Sequence, residues 1–216
     1  MLDGLEWKMI HTILEPSAGK GNIVEALREK QKFNNKWYTT IKLDIDCIES
    51  DENLRAVLKE KNIRVVHDDF LTYDTMKEYD LIVMNPPFSN GCKHLLKALE
   101  LQQRNGGAVV CLLNAETLKN ECNNERIMLN RMLREYNADI QYIQDAFADA
   151  ERKTDVEVAL VKVKLPDIHR ESVIFDGLER AMARKECVYD AENTQVAEND
   201  FLRRSLNNIK WRLRLV

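Results

Sequence analysis

IHTILEPSAGKGNIVEAL, residues 10–27, is the stretch on which the fold turns. Residues 10–15 are short, apolar and β-branched, as a strand requires. Pro16-Ser17-Ala18-Gly19-Lys20-Gly21 then supplies turn residues, and NIVEALREKQ follows with Ile23, Ala26 and Leu27 at helical spacing. Outward from this strand, glycine turn and helix, the alternation continues. Further strands are predicted over residues 38–45, 63–66, 79–84 and 108–113, and helices over 51–61 and 92–104. Acids open the helix at 51 and Lys59 and Lys61 close it, as the helix dipole prefers. Near-continuous apolar runs such as LIVM and AVVCLL point to a parallel sheet covered on both faces. A helix over 124–136 leads to a closing strand pair, 140–143 and 156–165. The polar connection FADAERKT, residues 147–154, is longer than a tight hairpin needs. It is either a solvated hairpin loop or a substrate loop, with Phe147, Arg152 and Lys153 as its candidate contacts.

Composition sets the limits. Eleven glycines and prolines in 216 residues, where ordinary usage is about 12%, exclude collagen-like, linker-rich and many-turned all-β architectures. The formal charge of −4 denies the chain a global basic field, although a local patch stays possible. Cys47, Cys92, Cys111, Cys122 and Cys187 form no CxxC pair and read as reduced, partly buried thiols. The acid-bearing N-terminus and the lack of a run of about 20 apolar residues lead to the expectation of a cytoplasmic protein. Two domains are expected: residues 1–166 as the α/β domain, and 167–216, with helical character over about 172–185 and 200–214, as a small C-terminal helical extension. Arg203, Arg204, Lys210, Arg212 and Arg214 there read either as phosphate contacts or as the polar face of a helix.

Four constellations carry chemistry. The turn at Gly19 and Gly21 lets backbone approach a ligand and aims helix N–H groups at it. A dinucleotide fingerprint would place its third glycine where Val24 stands, and no phosphate-cradling NTPase loop fits either. Asp44 and Asp46 follow at the end of the second predicted strand. An acid 23 residues beyond Gly21 can accept both hydroxyls of a ribose, and Asp44 is the candidate, a plain surface acid being the alternative. Next, His67-Asp68-Asp69-Phe70 offers Asp69 for an exocyclic amine of adenine and Phe70 as an apolar wall. The scattered His11, His67, His94 and His169 give no metal-ligand spacing, and no metal is expected. Asn85-Pro86-Pro87-Phe88 directly after LIVM decides the reading. Two prolines turn the chain rigidly at the sheet edge, so that the Asn85 side chain and the Pro86 carbonyl can accept from a planar amine while Phe88 stacks on it.

The order EPSAGKG, Asp44, DDF, NPPF resembles the class I S-adenosylmethionine-dependent methyltransferases that modify exocyclic amino groups. It resembles in particular the N6-adenine DNA methyltransferases with an Asn-Pro-Pro-Tyr/Phe motif, and the likeness covers about residues 10–165. NPPFSNGCKHLLKAL and FADAERKTDVEVALV are similar to methyltransferase domains of phages and mobile elements, which implies a phage or restriction–modification setting. The resemblance implies a Rossmann-like, doubly wound, seven-stranded, mostly parallel sheet with its last strand antiparallel. Carried over by position, it implies that Glu15, Pro16, Ser17, Ala18, Gly19 and Gly21 surround the methionine part of S-adenosylmethionine. Asp44 would bind the ribose, Ile45 would pack on the adenine with Phe70 near it, and Asp69 would accept from the adenine amine. Asn85, Pro86, Pro87 and Phe88 would form the catalytic turn, with Asn85 also lining the cofactor. The acceptor implied is N6 of adenine in DNA. Base amines of ribosomal RNA, cytosine N4 and a protein glutamine amide stay open, as does an inactive cofactor-binding module. Members of the family carry a segment ahead of the first strand and, in DNA enzymes, a large target-recognition domain. Only nine residues precede Ile10 and only 50 follow Pro166, so a fragment of a longer protein, or a need for a partner domain, is expected.

Overall fold

Period-two burial on neighbouring strands explains how the sheet is covered. The computed structural model describes residues 1–34, 43–144 and 156–166, all within one compact unit, Met1–His169. Its strands are β1 (Thr12–Glu15), β2 (Asp44–Ile48), β3 (Val65–His67), β4 (Leu81–Met84), β5 (Gly107–Asn114), β6 (Asp139–Ile143) and β7 (Val158–Leu165). They form a seven-stranded sheet in the order β3-β2-β1-β4-β5-β7-β6. The strands from β3 across to β5 pair in parallel, and β7 runs antiparallel to both β5 and β6. This is the Rossmann-like arrangement with an antiparallel closing pair that the sequence predicts.

Leu14 of β1, Ile82 and Met84 of β4, and Val109, Cys111 and Leu113 of β5 point to one face and join one core cluster. Ile13, Leu81, Val83, Val110 and Leu112 alternate with them and form the core of the other face. All four residues of β4 are buried, as expected of a central parallel strand. On the first face lie α3 (Gly91–Asn105) and α5 (Asn124–Glu135), with the short α4 (Glu116–Lys119) beside them. Helix α3 buries Gly91, His94, Leu95, Ala98, Leu99, Leu101 and Gln102, a stripe at helical spacing, and Gly106 ends it in the left-handed region. Two helices complete the alternation, α1 (Asn22–Asn34) and α2 (Glu52–Glu60), and Leu27 of α1 joins the core of the second face. Asp51 caps α2 by accepting from the Asn53 and Leu54 N–H groups.

The second strand is displaced from its predicted place. It spans Asp44–Ile48, so residues 44 and 45 begin it instead of ending it, and Leu43 lies outside it; residues 38–42 lie outside the described set. Register confirms the shift, with Thr12 opposite Asp44 and Glu15 opposite Cys47. The predicted substrate loop 147–154, with Phe147, Arg152 and Lys153, and the extension 167–216 also lie outside the described residues.

Candidate active site

Strand order reverses between β1 and β4: β2 and β3 continue to one side of β1, and β4 returns to the other. In open α/β sheets such a switch point, at the carboxyl ends of the strands, opens the crevice in which ligands bind. The turn after β1 is held there by its own backbone. Ala18 N–H donates to the Ile48 carbonyl at 3.0 Å, and Gly21 N–H donates to the Ala18 carbonyl at 2.7 Å. Lys61, just beyond α2, reaches the Lys20 carbonyl and the Glu25 carboxylate, each at 2.8 Å.

The two glycines of the turn differ in kind. Gly21 has φ +86° and is packed: a Cβ there would sit 2.7 Å from Ile63 Cδ1 and 3.0 Å from Leu58 Cδ2. Gly19 has φ +54° and faces open space, with nothing within 4 Å of a Cβ built on it. One glycine is demanded by the core, the other leaves room on the crevice side.

Glu15, the last residue of β1, is 1% exposed, and neither of its carboxylate oxygens completes a hydrogen bond among the described residues. Burial pushes its pKa up to about 9; Glu49 adds to the rise and the Val24 N–H opposes it. Pro16 and Ala18 are buried beside it and Ser17 is half-buried.

Asp44 is not at this edge. It pairs with Arg64 at 2.5 Å and with Lys77 at 2.6 Å, at the amino end of β2. Lys77, with Arg64 behind it, holds the Asp44 carboxyl below the usual carboxylate range. Asp46, buried, joins the same network through Arg64, Lys77 at 2.7 Å and the Tyr79 hydroxyl at 2.9 Å. Ile45 is likewise one residue into the strand, opposite Ile13, and packs into the core. The acid that does stand at the carboxyl end of β2 is Glu49. Its Oε2 accepts from Gly19 N–H at 2.6 Å and its Oε1 from Asp51 N–H at 2.9 Å. The sequence reading does not single out Glu49, although the apolar pair Cys47-Ile48 immediately before it marks the strand end.

Beyond β3, Asp69 is exposed and caps its own turn by accepting from Leu71 N–H at 2.9 Å, while Phe70 is buried. Past β4 the chain emerges from four buried residues into an exposed Asn85, a buried Pro86, an exposed Pro87 and a half-buried Phe88. Among the described residues no hydrogen bond engages the Asn85 side chain, and Asn90 N–H closes the turn on the Pro87 carbonyl at 2.9 Å. Gly91, the first residue of α3, is tightly fitted: a Cβ there would lie 2.9 Å from Leu113 Cδ2.

His94, one turn into α3, is the second residue that the sequence reading does not single out. It is 9% exposed, its Nδ1 lies 3.5 Å from Ser17 Oγ, and its ring meets Phe70 edge-on at 5.6 Å. Burial lowers its pKa, with Asp69 pulling the other way, which favours the neutral ring. Three segments far apart in sequence meet on this one side chain: the glycine turn, the Asp-Asp-Phe turn and the helix after Asn-Pro-Pro-Phe. A histidine on an otherwise apolar helical stripe was the sequence signal. Among the described residues no three His, Cys, Asp or Glu side chains converge as a metal site would need, and no helix among them is long and apolar enough to cross a membrane.

The comparisons bear on this geometry. Residues 1–116, more than half the chain, match the family model of the methyltransferase small domain. A stretch of 119 residues, 51% of this chain, is 28% identical to the Type II methyltransferase M.AccI of Acinetobacter calcoaceticus and covers 19% of that protein. Among solved structures, the type I restriction–modification system methyltransferase subunit from Streptococcus thermophilus superposes over 74% of this chain and 41% of its own, at 15% identity and a TM-score of 0.56. A dimethyladenosine transferase from Plasmodium falciparum covers 73% of this chain and 56% of its own, at 14% identity and a TM-score of 0.50. At these identities the structures speak for the fold. The chain spans about a fifth of the Type II relative's length.

Proposed function

We propose, from the premise that the chain belongs to the methyltransferase small domain family and so to the class I S-adenosylmethionine-dependent methyltransferases, that it methylates an exocyclic amino group, N6 of adenine in DNA. The carrying observation is the exposed Asn85 that follows the wholly buried β4 across the switch point from the Gly19 turn. The residues at this edge suit a cationic nucleoside donor. Gly19 leaves room for close approach, Glu49 stands beside it for the ribose, Asp69 lies one strand further for the adenine amine, and Glu15 is a buried acceptor without a partner.

Bound there, S-adenosylmethionine supplies a methyl group activated on a sulfonium. The protein's part is orientation and electrostatics. An adenine amine is a poor nucleophile because its lone pair is delocalised into the ring. Asn85 Oδ1 and the Pro86 carbonyl accept its two N–H bonds and so favour a tetrahedral nitrogen with its lone pair aimed at the methyl group. Pro86 and Pro87 fix that pair of acceptors against rotation. The Phe88 ring face stacks on a base turned out of its helix and meets the positive charge that develops on the nitrogen, an interaction of about 0.5–2 kcal/mol.

Incubation with methyl-labelled S-adenosylmethionine and duplex DNA, RNA or protein, followed by mass spectrometry of the product, tests the reading. N6-methyladenine in DNA is the expected product. Label on guanine, on cytosine N4 or on glutamine would replace the acceptor, and donor binding without transfer to any of them would leave a non-catalytic binding module. Asn85→Ala should lower the transfer rate by roughly 100-fold or more, the scale of losing a preorganised polar group, with donor affinity within about threefold by calorimetry. Turnover that survives this substitution would remove Asn85 from the acceptor pair.

A further inference from the structure

Glu15 is the buried titratable group for which the transfer step has no use. Its place, not its acidity, poses the question. Both oxygens are walled off from water and complete no hydrogen bond among the described residues, although a carboxyl group at 1% exposure is normally paired. Its neighbours bring no cation. From β2, Cys47 stands opposite in register, a thiol that burial keeps neutral, and Glu49 follows at the strand end with a like charge. From α1 comes only the Val24 N–H. On its other side β4 presents Leu81, Ile82, Val83 and Met84, none of them titratable.

The layout of the crevice says which part of a ligand reaches Glu15. This step rests on the donor site proposed above. Glu49 and Asp69, at the ends of β2 and β3, hold the nucleoside half, and the reacting methyl must face Asn85 after β4. The amino-acid half of the donor then lies over the turn between them, at the end of β1. Of the groups on that half, only the ammonium has N–H bonds to donate to a carboxylate; a Glu15 that kept its proton would instead donate its O–H to the donor's own carboxylate and release nothing.

We propose that Glu15 holds a proton in the ligand-free protein and releases it to solvent when the donor's ammonium arrives, so that cofactor binding is coupled to the loss of one proton. The balance is simple. A neutral carboxyl and a hydrated ammonium become a carboxylate–ammonium pair of zero net charge; the O–H bond of Glu15 breaks, its proton passes to buffer, and the ammonium keeps its three. The pKa of about 9 given to Glu15 by burial supports the first state, and the arriving cation favours the second.

Calorimetry at pH 6.5, where Glu15 is protonated and an α-amino group is still mostly charged, measures the coupling directly. Titrations of S-adenosylmethionine in buffers of different ionisation enthalpy should show release of about one proton, and affinity should rise about tenfold from pH 5.5 to 6.5. S-Adenosylhomocysteine, which keeps the ammonium, should release the same. 5′-Methylthioadenosine, which lacks the amino-acid half, should bind with no release. Glu15→Gln should abolish the release. In the unaltered protein, the infrared band of a protonated carboxyl should disappear when S-adenosylmethionine binds, a measurement that does not depend on the variant folding. S-Adenosylmethionine binding with fewer than about 0.2 protons released, or with release intact in Glu15→Gln, overturns the inference and leaves the donor site standing. Failure of all three nucleosides to bind overturns the donor site itself, and the inference with it.

Discussion

Glu15 and Asp44 are both strand acids, and their surroundings give them opposite chemistry. Asp44 lies half-exposed between Lys77 and Arg64 and stays ionised, its carboxyl held below the usual range. Glu15 has no such partner and keeps its proton. The sign of its effect on stability follows. Because its folded pKa of about 9 exceeds the unfolded value near 4.5, the folded state binds more protons between those limits. Stability from this group is therefore complete below about pH 4.5 and is lost as pH rises through 9. Glu15→Gln removes that slope, and its melting temperature at pH 8 should exceed the parent's by roughly 10 °C, several kcal/mol being at stake at 2–4 °C per kcal/mol for a chain of this size. The gap should narrow as pH falls toward 4.5, and melting curves at pH 5 and pH 8 check it; equal slopes would show that Glu15 is ionised in the fold. The two acids of β2 and its carboxyl end separate in the same way. Glu49→Ala should weaken S-adenosylmethionine binding at least tenfold with little change in melting. Asp44→Ala should leave binding within about twofold and cost no more than ~1 kcal/mol, the range of an exposed pair. Reversal of that pattern would return the ribose contact to Asp44.

At the scale of elements, the glycine turn can be divided by substitution. Gly19→Ala places a methyl group where nothing lies within 4 Å, at a φ of +54° that a non-glycine residue tolerates at a cost of about 1–2 kcal/mol. The variant should fold and yet lose donor affinity by tenfold or more. Gly21→Ala drives a methyl to 2.7 Å from Ile63 at φ +86°, and strain plus overpacking of roughly 2–4 kcal/mol should appear as lost stability. If denaturant titration and donor calorimetry gave both variants the same profile, the distinction between a cradle glycine and a packing glycine would fall. This turn is legible in the sequence because glycine, proline and the change from period two to period 3.6 are local signals. So are β4, whose LIVM has no polar residue to misplace it, and α3, whose apolar stripe ends at Gly106. The closing pair β6 and β7 can be read in the same way. β2 cannot be bounded so well. Its run alternates through Leu43, Ile45 and Cys47, and Asp44 and Asp46 within it look like the punctuation that ends a strand. Asp46 is instead buried among Arg64, Lys77 and Tyr79, partners supplied from the approaches to β3 and β4, a compensation invisible to any local window. The displaced boundary is why the sequence points to Asp44 and Ile45, and not to Glu49, for the nucleoside. His94 is hidden for a related reason, since the groups around it come from separate segments.

For the whole molecule, the question is what the sheet unit does alone. Among the described residues all seven strands and both large core clusters close by Leu165, inside a compact unit that runs to His169, and we propose that residues 1–166 hold what cooperative folding needs. The proposed donor site lies wholly inside that span. Recognition of the proposed acceptor needs more surface, because the chain is acidic overall, at −4, and a sheet edge that took up one flipped base would offer little grip on a duplex. The five basic residues Arg203, Arg204, Lys210, Arg212 and Arg214 stand outside the unit and are the proposed phosphate-binding groups. A chain ending at Pro166 should then melt in one transition, bind S-adenosylmethionine as the full chain does, and bind duplex DNA more weakly. The decisive quantity is the dependence of DNA affinity on salt. Each phosphate no longer neutralised reduces the slope of log K against log salt concentration by about 0.9, so removal of all five cations should reduce it by roughly 4.5. Replacing the five by alanine in the full chain should give the same change without altering donor affinity. An unchanged slope in both would assign the cluster to solvent, and DNA binding would have to come from the sheet unit itself.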